Sequence, residues 1–354
     1  MSNETVTKYV PQPQAQLNGL LLAQNFLMAF VNPTMVVIGI IGNFIIIALF
    51  PLKKVHANES AKLYCMVIAV GDIGTLLLKH LREFITIGLF FISSGKFYID
   101  LFYPILCKIL NCSFMVFLVV SMYTVMAFSI ERSIAVFWPL KYRAYMTRKA
   151  TIILLALCVC PPLIILQPLC LSTMDILKTR PGQLPNCGPD PKNPLYAFTG
   201  LAIVVVLMIL HAPITLFLVI ALVRKLLKNN ARRSRLGINA PSQSSIQKQA
   251  LILLLLVAII NLLFFVPIAS LYGSATFFRV VAPTSYIRQL IDYLVRILYQ
   301  LTSISHSANF FVYFAIIPSF RKSVCDLCCC GFNNVAKDQT TSSTAIKSDH
   351  HLVK

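Results

Sequence analysis

Ala127-Phe128-Ser129-Ile130-Glu131-Arg132-Ser133-Ile134-Ala135-Val136 sets an acid beside a guanidinium near the end of a long apolar stretch, residues 104–137. A bilayer core needs about 20 apolar residues per helix. By that measure this stretch is a crossing, and the ionic pair marks one membrane face. Six further stretches of the same kind run over 24–50, 62–91, 150–171, 196–227, 248–272 and 289–316. Lys79, Arg82 and Lys108 interrupt the second and third near their other ends. Seven crossings place the two termini on opposite sides.

Composition points the same way. The 354 residues are 57% hydrophobic and 12% charged, with a mean hydropathy of +0.77. Soluble domains run about 45–50% apolar and about 25% charged. The net charge of +19 therefore does not belong to a soluble nucleic-acid-binding domain. The 11 cysteines, scattered along a long apolar chain, exclude a small disulfide scaffold. No Gly-x-Ser-x-Gly, His-Glu-x-x-His or phosphate loop occurs, so no enzyme is expected.

Charge position sets orientation. Lys53, Lys54, Lys141, Arg143, Arg148, Lys149, Arg224, Lys225, Lys228, Arg232, Arg233, Arg235, Lys248, Arg321 and Lys322 all fall on one set of connections. Short basic loops stay cytoplasmic, which puts the N-terminus outside. The chain divides into an N-terminal tail (1–23), a seven-helix bundle (24–317), an amphipathic juxtamembrane helix (318–331) and a Ser/Thr-rich tail (332–354). Asn3-Glu4-Thr5 is a glycosylation sequon in the first of these.

Short motifs follow one another in register: Gly42-Asn43, Asp72, Cys107, Glu131-Arg132, Pro139-Leu140, Pro213, Phe265-Val266-Pro267, Asn309-Phe310-Phe311-Val312-Tyr313 and Phe320-Arg321-Lys322 before a cysteine cluster. With these motifs the chain resembles a rhodopsin-like (class A) G-protein-coupled receptor over roughly residues 24–330. The Ala127–Val136 run and the Asn-Phe opening of the last-helix motif are most like those of invertebrate FMRFamide-type neuropeptide receptors. It departs from the family in Ser133 for a tyrosine, Phe265 for a tryptophan, Phe310 for a proline and Ala221 for a tyrosine. The Phe310 substitution questions the usual kink of the last helix.

The resemblance implies an all-α membrane fold and a set of roles. Glu131 and Arg132 would form a clamp released on activation. Only Gln247 stands where some relatives place a locking acid. Asn43, Asp72, Ser305 and Asn309 would hold a sodium ion or water, against the plainer reading of a satisfied polar network. Cys107 would pair with Cys187 of the second outer loop, while Cys112, Cys158, Cys160 and Cys170 read as small buried hydrophobes. Cys325, Cys328, Cys329 and Cys330 read as palmitoylation sites on a membrane-surface helix. A metal site there lacks the usual spacing, and no cofactor is expected beyond the possible sodium.

Phe114 stands where amine receptors carry an aspartate, and the seventh segment has no lysine for a retinal Schiff base. A ligand pocket is expected instead around Lys79, Arg82, Glu83, Phe114, Arg288, Asp292 and Arg296. It would take a peptide, either by its carboxylate or by an arginine reaching Glu83 or Asp292. The alternative is that Arg82–Glu83 and Arg296–Asp292 pair internally. Pro213 and Pro267 would bend their helices, with Phe265 as the switch above the second bend. Leu140, Asn309 and Tyr313 complete the coupling machinery towards a heterotrimeric G protein. Thr340, Thr341, Ser342, Ser343 and Thr344 are candidate sites for a receptor kinase and arrestin. The expected location is the plasma membrane. A small-molecule chemosensory receptor and a channel or transporter are the rival readings.

Overall fold

The computed structural model describes residues 12–52, 54–89, 92, 104–177, 186–190, 192–236, 245–281 and 285–327. The first crossing is α1 (Gln12–Phe26) running into α2 (Asn32–Leu49) through the π-helical turn Leu27–Val31. It begins at Gln12, inside the stretch expected to be tail. Pro33 sits in the first turn of α2, and the wider π turn before it accommodates a ring that would clash with a preceding carbonyl. The same device recurs in the fifth crossing. There α7 (Tyr196–Val204) meets α8 (Ala212–Leu236) through the π-helical Val205–His211, just ahead of Pro213.

The second crossing is α3 (Glu59–Thr75), continued by π-helical Leu76–Leu81 and Phe84–Gly88. Asn58 caps its start by accepting from the Ser60 amide at 3.0 Å. Next come α4 (Pro104–Phe137), the short α5 (Pro139–Tyr145), α6 (Arg148–Thr173), α9 (Ser245–Val281) and α10 (Tyr286–Ile316). A last helix, α11, is described over 318–327. Between α6 and α7, β1 (Met174–Leu177) and β2 (Asn186–Pro189) form an antiparallel hairpin with Ile176 opposite Cys187. Pro267 lies inside α9. The substitution of Phe310 leaves α10 an unbroken helix to Ile316.

The fold is an all-α seven-helix membrane bundle. Among the described residues, five helices are long and apolar enough to cross a bilayer: Leu17–Leu49, Glu59–Thr86, Ile105–Phe137, Arg148–Thr173 and Gln249–Ala275. Helix α10 falls short because its polar residues are internal: Gln300, Thr302, Ser303, Ser305, His306, Ser307 and Asn309 are all buried. The apolar side chains of α6 and α8, including Ile153, Leu157, Ile164 and Phe217, are exposed instead, as hydrocarbon contact requires. Helix α4 occupies the middle, packed against α3, α6, α8 and α9.

Close approach at glycines fixes the relation between α3 and α4. A Cβ on Gly71 would lie 2.8 Å from the Ser121 amide nitrogen and 2.9 Å from the Phe117 carbonyl oxygen. Neither backbone atom can yield, so only glycine lets the helices come this near. Gly42 lies as close to the Phe310 side chain, between α2 and α10. The Gly71 approach brings Asp72, one residue along, within reach of α4.

Candidate functional site

An isolated charge at membrane depth is costly, so a buried carboxylate must find partners. Asp72 is 1% exposed. Its Oδ1 accepts from Ser121 Oγ at 2.7 Å and from His306 Nδ1 at 2.7 Å, and its Oδ2 accepts from Asn309 Nδ2 at 2.5 Å. Three helices therefore meet on one carboxylate. Asn43 joins from α2 by donating to the His306 backbone carbonyl at 3.0 Å.

The expectation of a sodium or water site here meets a different donor set. Asn309 and Asp72 come together as expected, and Asn43 lies beside them. Ser305 is buried but makes no hydrogen bond to Asp72 among the described residues. His306, which sequence reading passed over, and Ser121 take its place. A hard cation is held by converging oxygen lone pairs, and here a ring nitrogen, His306 Nδ1, is seated on one of the two carboxylate oxygens instead.

A cavity of about 70 Å³ is lined by Met115, Leu118, Met122, Phe265, Tyr272 and Tyr299, with Ile203, Val204, Ile268 and Ala269. The Phe265 ring stands edge-on to His306, centroids 5.8 Å apart. One side chain thus touches both the cavity and the residue bonded to Asp72.

The charged residues expected around a pocket are largely paired among themselves. Lys79 reaches Glu83 at 2.6 Å, and Glu83 accepts from Gln300 Nε2 at 3.0 Å. The Lys79 ammonium also lies 4.8 Å from the Tyr299 ring centre and 5.8 Å from that of Phe114. Arg82 donates to Asn111 at 3.1 Å; Glu83 pairs with Lys79, not with Arg82 as sequence spacing suggested. Asp292 pairs with Arg288 at 3.3 Å. Arg296, the partner expected for Asp292, is exposed. Helical spacing allowed either arginine; the choice between them depends on side-chain direction.

At the other end of α4, Arg132 bonds to its neighbour Glu131. It also donates to Ser60 Oγ of α3 at 2.8 Å and to Tyr142 Oη of α5 at 2.9 Å. Tyr142 in turn donates to Glu131 at 3.0 Å, and Thr151 of α6 does so at 3.1 Å. Charge-assisted bonds of this kind are roughly twice as strong as neutral ones. The expected α9 partner, Gln247, lies outside the described side chains. Tyr142 was missed because loop tyrosines are common and nothing in its neighbours marks it. Leu140 is 81% exposed, and Tyr313 is fully buried against Phe50, with ring centroids 5.6 Å apart.

The cysteines need one correction. Cys112 and Cys170 are not separate buried hydrophobes: they form a disulfide between α4 and α6, with a Cα–Cα distance of 5.7 Å. Cys158 and Cys160 remain free. Cys107 is itself disulfide-bonded. The side chain of Cys187, its expected partner, lies outside the described ones. Cys325 is free and exposed on α11, whose Phe320 and Val324 are buried. Asn3, Cys328, Cys329 and Cys330 lie outside the described residues.

Comparison with curated proteins returns no match. The family described as 7 transmembrane receptor (rhodopsin family) matches residues 42–313, from Gly42 to Tyr313, a span that includes Asp72, Arg132 and His306. The chain is therefore a multi-pass membrane receptor, not an enzyme, and it belongs to the rhodopsin family of seven-transmembrane receptors.

Proposed function

We propose that this receptor sits in the plasma membrane with its N-terminus outside, binds an extracellular peptide, and activates a heterotrimeric G protein at the Arg132 end. The observation that carries this reading is the continuous contact from the cavity through Phe265 and His306 to Asp72 and Asn309. A ligand that moves Phe265 changes the packing of the residue that ties α10 to α3. Pro267, two residues further on, gives α9 a point about which its inner end swings outward. Ligand binding then stabilises the swung conformation by population shift.

The ion pair beside Tyr299 of the cavity wall supports a peptide ligand. Lys79 and Glu83 neutralise each other there. A ligand engages one of them by displacing the other, a carboxylate taking Lys79 or a guanidinium taking Glu83. The apolar lining also favours a second reading, a chemosensory receptor for small apolar molecules. Exposed Leu140 and the basic end of α8 form the G-protein face, and exposed Cys325 on α11 is a palmitoylation site.

A neuropeptide library applied to cells expressing this chain, with calcium and cAMP readouts, tests the reading. A peptide response that Arg132→Ala abolishes while binding persists supports it. Responses confined to small apolar molecules favour the second reading, and signalling that survives Arg132→Ala removes the clamp.

A further inference from the structure

We propose that His306 takes the place of a diffusible cation at Asp72, so that the junction of α3, α4 and α10 is closed by the protein's own ring and is indifferent to sodium. The inference does not depend on which ligand the receptor binds. It starts from the direction of the hydrogen bonds. Two of the three groups on the carboxylate are nitrogens, His306 Nδ1 and Asn309 Nδ2. A nitrogen donating its hydrogen to Asp72 has no lone pair to offer a cation at the same place. The third group, the Ser121 hydroxyl, keeps its oxygen lone pairs but donates to the same Oδ1 that His306 occupies, so that oxygen is taken twice.

The ring is also not free to leave. His306 is 2% exposed. Its backbone carbonyl accepts from Asn43, which fixes that turn of α10 against α2. Phe265 stands edge-on to the ring at 5.8 Å, and the His80 ring lies 6.3 Å away on the other helix wall. Asn43 Oδ1 is buried without a partner, and Ser305 makes no bond to Asp72 among the described residues, so it is the ring seated on Oδ1 of Asp72, not a shortage of oxygens, that closes the site. With a proton on Nδ1 the ring donates to Asp72 whether the imidazole is neutral or charged. The plug therefore works by the ring's occupancy of the carboxylate, with no change of charge required.

Removing the ring should open the site. His306→Ser leaves a hydroxyl oxygen and a ring-sized space beside Asp72, Ser121 and Asn309, a donor set with the oxygens a hard cation uses. A cation that binds only the folded receptor raises its melting temperature by mass action.

The purified full-length receptor is melted in NaCl and in choline chloride at equal ionic strength, as wild type, as His306→Ser and as His306→Ser with Asp72→Asn. The expected result is no difference between the salts for wild type. His306→Ser should show a sodium-specific rise of about 2–4 °C that Asp72→Asn abolishes. His306→Thr serves the same purpose should the serine variant fail to fold. A sodium-specific rise in the wild-type receptor overturns the proposal. So does a folded His306 variant that gains no response, because the ring would then not be what keeps sodium out.

Discussion

Tyr142 Oη lies 2.9 Å from the Arg132 guanidinium and 3.0 Å from the Glu131 carboxylate, so one side chain of the short α5 clasps both members of the ionic pair. Ser60 holds the same guanidinium from α3. Arg132 is thereby restrained by the loop helix and by a neighbouring crossing.

Loss of that hydroxyl should loosen the clamp. Hydrogen bonds to charged groups contribute about 1.5–3 kcal/mol each when buried, and Tyr142 is only half-buried. Tyr142→Phe should raise ligand-free signalling by roughly three- to tenfold. The measurement is basal second-messenger level at matched surface expression; an unchanged level would show that Ser60 and Glu131 suffice.

The Cys112–Cys170 bond closes a sequence separation of 58 residues. A loop of that length stabilises by about 4 kcal/mol in the chain-entropy picture. The double variant Cys112→Ser, Cys170→Ser should melt several degrees lower in detergent than the parent. Non-reducing peptide mapping checks the linkage itself, and finding both thiols free would remove it.

Gly71→Ala should be more damaging than its one methyl suggests. The added Cβ meets two backbone atoms of α4 below 3.0 Å, and a helix backbone cannot give way locally. The α3–α4 distance must grow, which pulls Asp72 off Ser121. A loss of about 2 kcal/mol or more is expected, read as lower surface expression and lower melting temperature. Gly19→Ala, with open space around it, is the control that should change neither.

Pocket charges should divide into two groups. Lys79→Ala should shift the potency of a peptide agonist about tenfold or more, because the ammonium sits over Tyr299 at the cavity and its loss leaves Glu83 without an ion partner. Arg296→Glu should leave potency unchanged, since that side chain is exposed and off the cavity. Dose–response curves for the two variants in parallel decide the point; an effect at Arg296 equal to that at Lys79 would enlarge the pocket beyond the structure.

Much of this is legible in the sequence. Hydrocarbon thickness forces long apolar runs, and an acid–arginine pair ending such a run announces itself, so the crossings and Glu131-Arg132 stand out. Asp72 and Asn309 were legible for the same reason: polar groups in greasy helices have few places to go. His306 belonged to that class too, and an intramembrane histidine one turn from Asn309 should have been weighed beside it. Its partner lies 234 positions away, however, and only the rotation of α10 about its axis tells whether the ring faces Asp72 or lipid. The same rotational phase hid the Cys112–Cys170 pairing. Sequence spacing constrains neighbours on one helix well and says little about how two helices are turned towards each other.

The disulfide between α4 and α6 gives the bundle a stator. Two crossings joined covalently near one membrane face cannot slide past each other there, and the clasp of Thr151 on Glu131 ties the same two helices near the opposite face. A stroke of the receptor is therefore left to the crossings outside this pair, among them α8, α9 and α10, which carry Pro213, Pro267 and His306.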